Sequence, residues 1–328
     1  MNILVCGGAG YIGSNMTNML VQKGHNTFVF DNLSKGHRKA VVDGAEFIYG
    51  DLADYDKLVR VLRDNKIDAV MHFAAFIEVG ESVSNPLGYY HNNFCNTHNL
   101  LRAMEFVGVG KFVFSSTAAT YGMPDTFPIT ETLAKNPINP YGESKWAVER
   151  MLQFQSRTGR LNYAALRYFN ACGAGKDATL GEDHKPESHL IPLIIQAAMG
   201  KREDIRIFGT DYDTPDGTCI RDYIHIEDLC SAHLLALQQL DSEREVVFNL
   251  GNGNGYSVRE VIETVKKVSG KDFKVTEEAR RPGDPAVLTA DASKAREILG
   301  WQPEWTNLEE IVQTAWTFHS NHPAGYSE

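Results

Sequence analysis

The feature that most constrains this chain lies at its start, where the strand-like residues 2–6 run directly into GGAGYIG. Gly7, Gly10 and Gly13 recur at every third position, and Gly8, Gly10 and Gly13 also satisfy G-x-G-x-x-G. The following residues, 11–23, space Ile12, Met16, Met19 and Leu20 at helical intervals. Strand, tight turn and helix within so few residues demand glycine, because only a residue without Cβ lets the backbone turn sharply while the helix closes onto the strand. Further β-type runs at 27–30, 46–49, 69–73, 111–115 and 163–168 are mostly separated by helix-like stretches. Strands alternating with helices, without hairpin turns between them, predict an α/β fold with a doubly wound parallel sheet of Rossmann type.

Past about residue 170 the rhythm loosens into polar segments such as GAGKDATLGEDHKPESH and TDYDTPDGT. Residues 1–170 are therefore expected to form a nucleotide-binding domain, and 171–328 a smaller, mixed α/β substrate-binding domain. The amphipathic stretch 227–240 and the strand-like 245–250 lie within 221–250, a region expected to be able to return to the first sheet. The 328 residues suit about two lobes, and a hydrophobic content of 43% fills a sizeable core.

Charge and cysteine usage exclude several classes. With 42 acidic against 32 basic side chains the net charge is -10, which argues against a nucleic-acid partner. The five cysteines are scattered and include no C-x-x-C pair, so neither a disulfide framework nor a zinc knuckle is signalled. The start lacks the pattern of a secretory signal, and the apolar segment 189–200 is too short to span a bilayer. A cytoplasmic protein with no membrane partner is the expectation.

The glycine turn has a chemical purpose in this setting. Backbone N–H groups at the start of a helix face an anion, and glycine allows a pyrophosphate to approach closely. Asp31 lies 18 residues after Gly13, at the end of the second strand, where a carboxylate accepts hydrogen bonds from ribose hydroxyls. Its charge would also repel a 2′-phosphate, favouring NAD over NADP. Lys35, His37 and Arg38 keep NADP open as the alternative, unless they are simply a solvated loop.

Tyr141 and Lys145, in NPYGESK, stand four residues apart at the start of a helical stretch and so share one face. Ser115, Ser116 and Thr117 follow the preceding strand at its carboxyl end, the edge at which open α/β sheets bind ligands. A phenol titrates near about 10, so at neutral pH it acts as a base only beside a cation such as Lys145. With Thr117 holding the reacting hydroxyl, Tyr141 would take a proton from a secondary alcohol as hydride leaves its carbon. The plainer reading of the pair is a buried tyrosine beside a snorkelling lysine.

GGAGYIG, Asp31, GDL at 50–52, HFAA at 72–75, the Ser/Thr strand end and YGESK together resemble the extended short-chain dehydrogenase/reductase family. VGESV (79–83), SSTAATYG (115–122), LRYFNACGA (166–174), HLIP (189–192), DGTCIRDYIH (216–225), NLGNGNGYSV (249–258) and RRPGDPA (280–286) are similar to its UDP-sugar 4-epimerase branch. The resemblance implies interconversion of UDP-galactose and UDP-glucose, with tightly held NAD, a 4-keto sugar that turns over in the site, and Thr117, Tyr141 and Lys145 as catalytic residues. It implies cofactor contacts from Gly7, Gly10, Tyr11, Ile12, Gly13, Asp31, Asn32, Asp51, Leu52, Phe73, Ala74, Ala75, Asn92, Tyr141, Lys145 and Phe169. Arg221 and Arg281 match diphosphate-binding positions, and Asn170, His189, Leu190, Phe208, Tyr223 and Asp284 match positions around the nucleotide and sugar.

Three positions depart from the common pattern of that branch: Ile77 stands where many members carry lysine near the cofactor ribose, Thr117 replaces a serine, and Leu288 occupies a position near the sugar 2-substituent that is often bulkier. Leu288 extends the expected substrates to UDP-N-acetylhexosamines, and UDP-pentoses share the same C4 chemistry. A 4,6-dehydratase is disfavoured because Ala118 and Ala119, rather than Asp-Glu, follow Thr117, and a non-catalytic NAD-binding role leaves Tyr141 and Lys145 without a task. A homodimer through helices of the first lobe is expected from the resemblance. No metal is expected, since Glu182, Asp183, His184 and His189 lie in a Gly- and Pro-bearing loop that matches no known ligand spacing.

Overall fold

The computed structural model describes residues 1–281 and 283–327. Six strands appear in the first half of the chain: β1 (Asn2–Cys6), β2 (Asn26–Asp31), β3 (Ala45–Tyr49), β4 (Ala69–His72), β5 (Lys111–Thr117) and β6 (Asn162–Tyr168). Seven more follow: β7 (Asn170–Cys172), β8 (Asp204–Phe208), β9 (Ile220–His225), β10 (Glu245–Leu250), β11 (Gly255–Ser257), β12 (Lys274–Glu278) and β13 (Val287–Leu288). Seven strands build one sheet in the order β10-β6-β5-β4-β1-β2-β3, with every neighbouring pair parallel. The order reverses between β1 and β4, which opens a crevice at their carboxyl ends.

The central strands each carry a continuous apolar run because both faces of the sheet are covered. Ile3, Leu4, Val5, Val70, Met71, Phe112 and Val113 are inaccessible to solvent. On one face the helix Tyr11–Gln22 contributes Met16 and Leu20, joined by Leu229 and Leu237 from the helix Ile226–Gln239. The opposite face is covered by Leu58 and Leu62 of Tyr55–Asp64, Leu100 and Met104 of Asn96–Val107, and Val148 and Leu152 of Pro140–Arg157.

The chain leaves this sheet abruptly, because only Phe169 separates β6 from β7. β7 and β13 flank β9 in parallel, β11 runs antiparallel to it, and β8 pairs with β12 in a separate ribbon. A third core of Ile191, Ile194, Ile195, Val261, Ile262, Leu308, Ile311 and Val312 supports these strands. The helix Ile226–Gln239 and β10 rejoin the large sheet, whereas β9 remains in the small one, and Ala295 and Trp301 also pack into the first core. The two regions are thus interleaved along the chain.

One strand boundary differs in a way that bears on function. The sequence pattern ends the fifth strand at Ser115, but pairing with β6 continues through Ser116 opposite Arg167 and Thr117 opposite Tyr168. Tertiary pairing overrides the weak strand preference of the serines, and Thr117 becomes the last residue of the strand.

Candidate active site

The glycine turn is sterically locked. Gly7 adopts a φ of +81°, and a Cβ there would lie 2.5 Å from the Ala74 nitrogen. A Cβ on Gly13 would lie 2.1 Å from the Gly7 carbonyl oxygen, so the helix can approach the turn this closely only with glycine. Gly10 opens the helix Tyr11–Gln22 with no side-chain cap, so the first-turn N–H groups are left for an anionic ligand.

Asp31 ends β2 and braces the same turn. Its Oδ2 accepts from the Ala9 N–H at 3.0 Å and its Oδ1 from the Leu33 N–H at 2.8 Å, leaving further lone pairs on each oxygen. Burial pushes its pKa up, against the pull of these backbone donors. Asn32 donates to Asp51 at 2.7 Å, joining two more residues of the crevice. Of the basic residues beyond, the His37 ring pairs with the Asp183 carbonyl at 2.9 Å and Arg38 covers the Phe47 ring, while Lys35 borders the cleft.

A cleft of about 960 Å³ runs from the glycine turn to β9 and β13, at the upper end of the roughly 300–1,000 Å³ usual for small-molecule sites. Every residue assigned to the cofactor borders it, and so do Thr117, Asn170, His189, Arg221, Arg281, Asp284, Leu288 and Ile77. Three assigned positions do not. Leu190 and Tyr223 face a separate space of about 30 Å³, with Tyr223 packed into the third core. Phe208 lies beneath Arg281, whose guanidinium sits 3.8 Å from the ring centroid, so it shapes the cleft through that arginine. The substrate contacts assigned to these three therefore rest on the resemblance alone. Arg221 donates to Asp284 at 3.0 Å and to its neighbour's carbonyl, that of Ile220, at 2.9 Å, so its reach into the cleft is braced on two sides.

Tyr141 and Lys145 stand on the first turns of the helix Pro140–Arg157. Pro140 begins it, and Asn139 caps it by accepting from the Gly142 N–H at 2.8 Å. Burial pushes the Tyr141 phenol up, while a hydrogen bond with Thr117 pulls it down. Lys145 is 3% exposed, and burial lowers its pKa to about 7 against the opposing attraction of Glu149. Its Nζ donates to the Ser115 carbonyl at 2.8 Å and sits 4.9 Å from the Phe114 ring centroid.

Beneath these groups lies a buried network with no clear sequence signal. Arg167 of β6 grips both oxygens of Glu149, and the Ser116 hydroxyl donates to the same carboxylate. Arg167 also donates to the Tyr121 hydroxyl at 2.9 Å, which in turn donates to Asn249 at 2.6 Å. Only an arginine inside an otherwise apolar strand hints at it. The loop before the helix Leu190–Ala198 holds a second cluster: Glu182, His184 and His189, weighed in the sequence as metal ligands, converge with Glu187, which that reading missed, whereas Asp183 turns away to accept from the Tyr326 N–H at 2.9 Å. The alternating spacing E-x-H-x-x-E-x-H is the signal that would have found it. Burial alone would drive both imidazoles down, but the facing carboxylates reverse this, raising His184 to about 9 and His189 well above its usual value.

A glycine turn at the switch point of a parallel sheet, with a Tyr/Lys pair beside a Thr-bearing strand end, defines a dinucleotide-dependent enzyme acting on an alcohol or ketone. Residues 3–251 match the model of the NAD dependent epimerase/dehydratase family, and the chain belongs to it. The chain is 50% identical to the UDP-glucose 4-epimerase of Lactobacillus helveticus over 329 residues, covering 100% of both. Its fold is similar to that of the UDP-glucose 4-epimerase from Bifidobacterium longum in complex with NAD+ and UDP, at a TM-score of 0.94 and 38% identity, covering 99% of this chain and 100% of that one. It is also similar to the UDP-Glc/GlcNAc 4-epimerase of Campylobacter jejuni, at a TM-score of 0.87 and 48% identity, over 98% and 99% of the two chains.

Proposed function

We propose that the chain is an NAD-dependent isomerase that interconverts UDP-glucose and UDP-galactose by reversible oxidation at C4. The observation that carries this reading is the meeting of the Gly7 to Gly13 turn with Thr117, Tyr141 and Lys145 on one cleft. The uncapped helix start and the space left by the absent Cβ atoms suit the pyrophosphate of NAD, and Asp31 suits the adenosine ribose. When bound, NAD supplies the hydride acceptor and donor.

The residues divide the remaining work. Thr117 holds the 4-hydroxyl, and Tyr141 takes its proton as C4 loses hydride, leaving a 4-keto sugar. The same tyrosine returns the proton after the ketone has turned and its opposite face has accepted hydride. Lys145, kept close by the Ser115 carbonyl, favours the phenolate when protonated. Arg221 and Arg281 grip the diphosphate as guanidinium forks, so the sugar can rotate while the nucleotide stays fixed. Purified protein given UDP-galactose without added cofactor should yield UDP-glucose, and deuterium at C4 should survive into product. Loss of the label to solvent contradicts the scheme.

A wider substrate range has its own support. Leu288 borders the cleft opposite Arg221 in the β13–β9 register and leaves more room than an aromatic side chain for an N-acetyl group. The Campylobacter relative is named for both UDP-Glc and UDP-GlcNAc. UDP-pentoses remain compatible with the same C4 chemistry.

A homodimer in the cytoplasm completes the reading. Leu87, Phe106 and Phe154, on the helices Pro86–Tyr89, Asn96–Val107 and Pro140–Arg157, are 82%, 66% and 54% exposed, apolar area suited to a partner copy. Sedimentation of the purified chain measures this. All five cysteines are free, as in a reducing compartment, and among the described residues no helix is long and apolar enough to cross a membrane.

A further inference from the structure

We infer that Glu182, His184, Glu187 and His189 form a binding site for one zinc ion, at the edge of the cleft and apart from the reacting groups. One ligand atom from each of the four residues lies within 4.8 Å of the others. His184 Nδ1 is 3.1 Å from Glu182 Oε1 and 3.9 Å from Glu187 Oε1. His189 Nδ1 is 2.6 Å and 3.4 Å from the same two oxygens. A tetrahedral ion about 2.0–2.1 Å from each donor separates the donors by roughly 3.3–3.4 Å. The 3.1 and 3.4 Å separations lie near that edge, while the 2.6 Å pair has to open and the 3.9 Å pair to close by several tenths of an ångström.

A second observation points to a ion between the groups rather than to ordinary hydrogen bonds. Both Nδ1 atoms are buried, yet neither has an aligned hydrogen-bond partner despite the nearby oxygens. The Glu182 and Glu187 side chains are only 5% and 4% exposed. Glu187 is held in place by the backbone, since the same Oε1 also accepts from the Ser188 N–H at 2.8 Å and the His189 N–H at 2.9 Å. Such outer bonds fix the orientation of a ligating carboxylate.

The donor chemistry selects the ion. Two imidazoles with two carboxylates suit a borderline-soft, tetrahedral cation, whereas magnesium and calcium prefer all-oxygen shells. Two neutral imidazoles and two carboxylates around one Zn²⁺ sum to zero charge, so no uncompensated charge is created. The ion would cross-link the loop at 182–189, which borders the cleft at Glu182, His184 and His189 and leads into the helix Leu190–Ala198. Zinc would therefore stiffen one wall of the cleft without touching the reacting carbon.

The test reads metal content, so it is independent of the proposed reaction. Full-length protein is stripped with a chelator, incubated with zinc chloride alone, separated from free metal and analysed by mass spectrometry, with circular dichroism to verify folding. We expect about one zinc per chain in wild type, tetrahedral visible bands on cobalt substitution, and at least roughly tenfold weaker zinc binding in folded Glu187→Gln and His184→Gln. Asp183→Asn, which alters the carboxylate that turns away, should keep the wild-type stoichiometry. No retained zinc in folded wild type, or unchanged zinc binding in both ligand variants, overturns the assignment.

Discussion

Lys145 donates to the Ser115 carbonyl at 2.8 Å, so the helix bearing Tyr141 is fastened to the strand that ends in Thr117. The three groups therefore hold their mutual positions through backbone and helix geometry rather than through ligand contacts. That preorganisation is what the proposed proton transfer from the sugar 4-hydroxyl requires.

Tyr141→Phe removes the phenolic oxygen while keeping the ring. Turnover of UDP-galactose should fall by about 10²–10⁴-fold, the usual contribution of a positioned acid or base. NAD content, read from extracted nucleotide, should stay near the wild-type level.

Gly13→Ala places a methyl against the Gly7 carbonyl, a contact of 2.1 Å before relaxation. Both partners are backbone, so the turn has to open. The purified variant should carry far less NAD than wild type; equal NAD content contradicts a close-packed pyrophosphate turn.

Burial lowers the Lys145 pKa to about 7 from an unfolded value near 10.5. Between those values the unfolded chain binds more protons, so stability rises with pH across that window. The cost of burying the cation is greatest below pH 7 and is relieved as pH climbs toward about 10.5. In nucleotide-stripped protein, the melting temperature of wild type relative to Lys145→Met should increase from pH 7 to about 9.5. A difference that does not change with pH refutes this.

Glu149→Gln leaves Arg167 buried without its counter-ion, at 4% side-chain exposure. Breaking such a pair costs about 3–5 kcal/mol, which should appear as an earlier urea midpoint. A second change, Arg167→Met, should recover part of the loss, because the uncompensated charge is then gone.

Leu288→Tyr narrows the cleft where β13 faces β9. Overpacking of about 1–3 kcal/mol against an N-acetyl group should lower the UDP-GlcNAc to UDP-glucose rate ratio by roughly tenfold or more, measured on both substrates with one preparation. An unchanged ratio removes Leu288 from specificity.

The legible parts of the site are those made by short-range contacts. The Gly7 to Gly13 turn, the helix from Tyr11 and the Tyr141/Lys145 pair involve residues no more than a few positions apart, so spacing alone carries their geometry. The seven-strand sheet was readable as α/β because two-sided burial leaves an apolar run at each strand. The strand limit at Thr117 was not, since pairing with β6 rather than local preference extends it.

Longer contacts escaped the sequence for a physical reason. Asp222 illustrates this, accepting from the N–H groups of Asn252 at 2.7 Å, Gly253 at 3.1 Å and Ala290 at 3.0 Å, and so tying β9 to two distant segments. Tyr223 and Leu190 point into the interior and Phe208 lies under Arg281 because the packing of the small sheet assigns their faces. The amino-acid order by itself determined the dinucleotide turn, the parallel architecture and the pairing of Tyr141 with Lys145, all of which arise from backbone sterics and helical periodicity. Only the tertiary structure decided which carboxylates meet which cations, as with Glu149 and Arg167 or the Glu182 to His189 cluster, because side-chain direction and burial are settled when remote segments pack together.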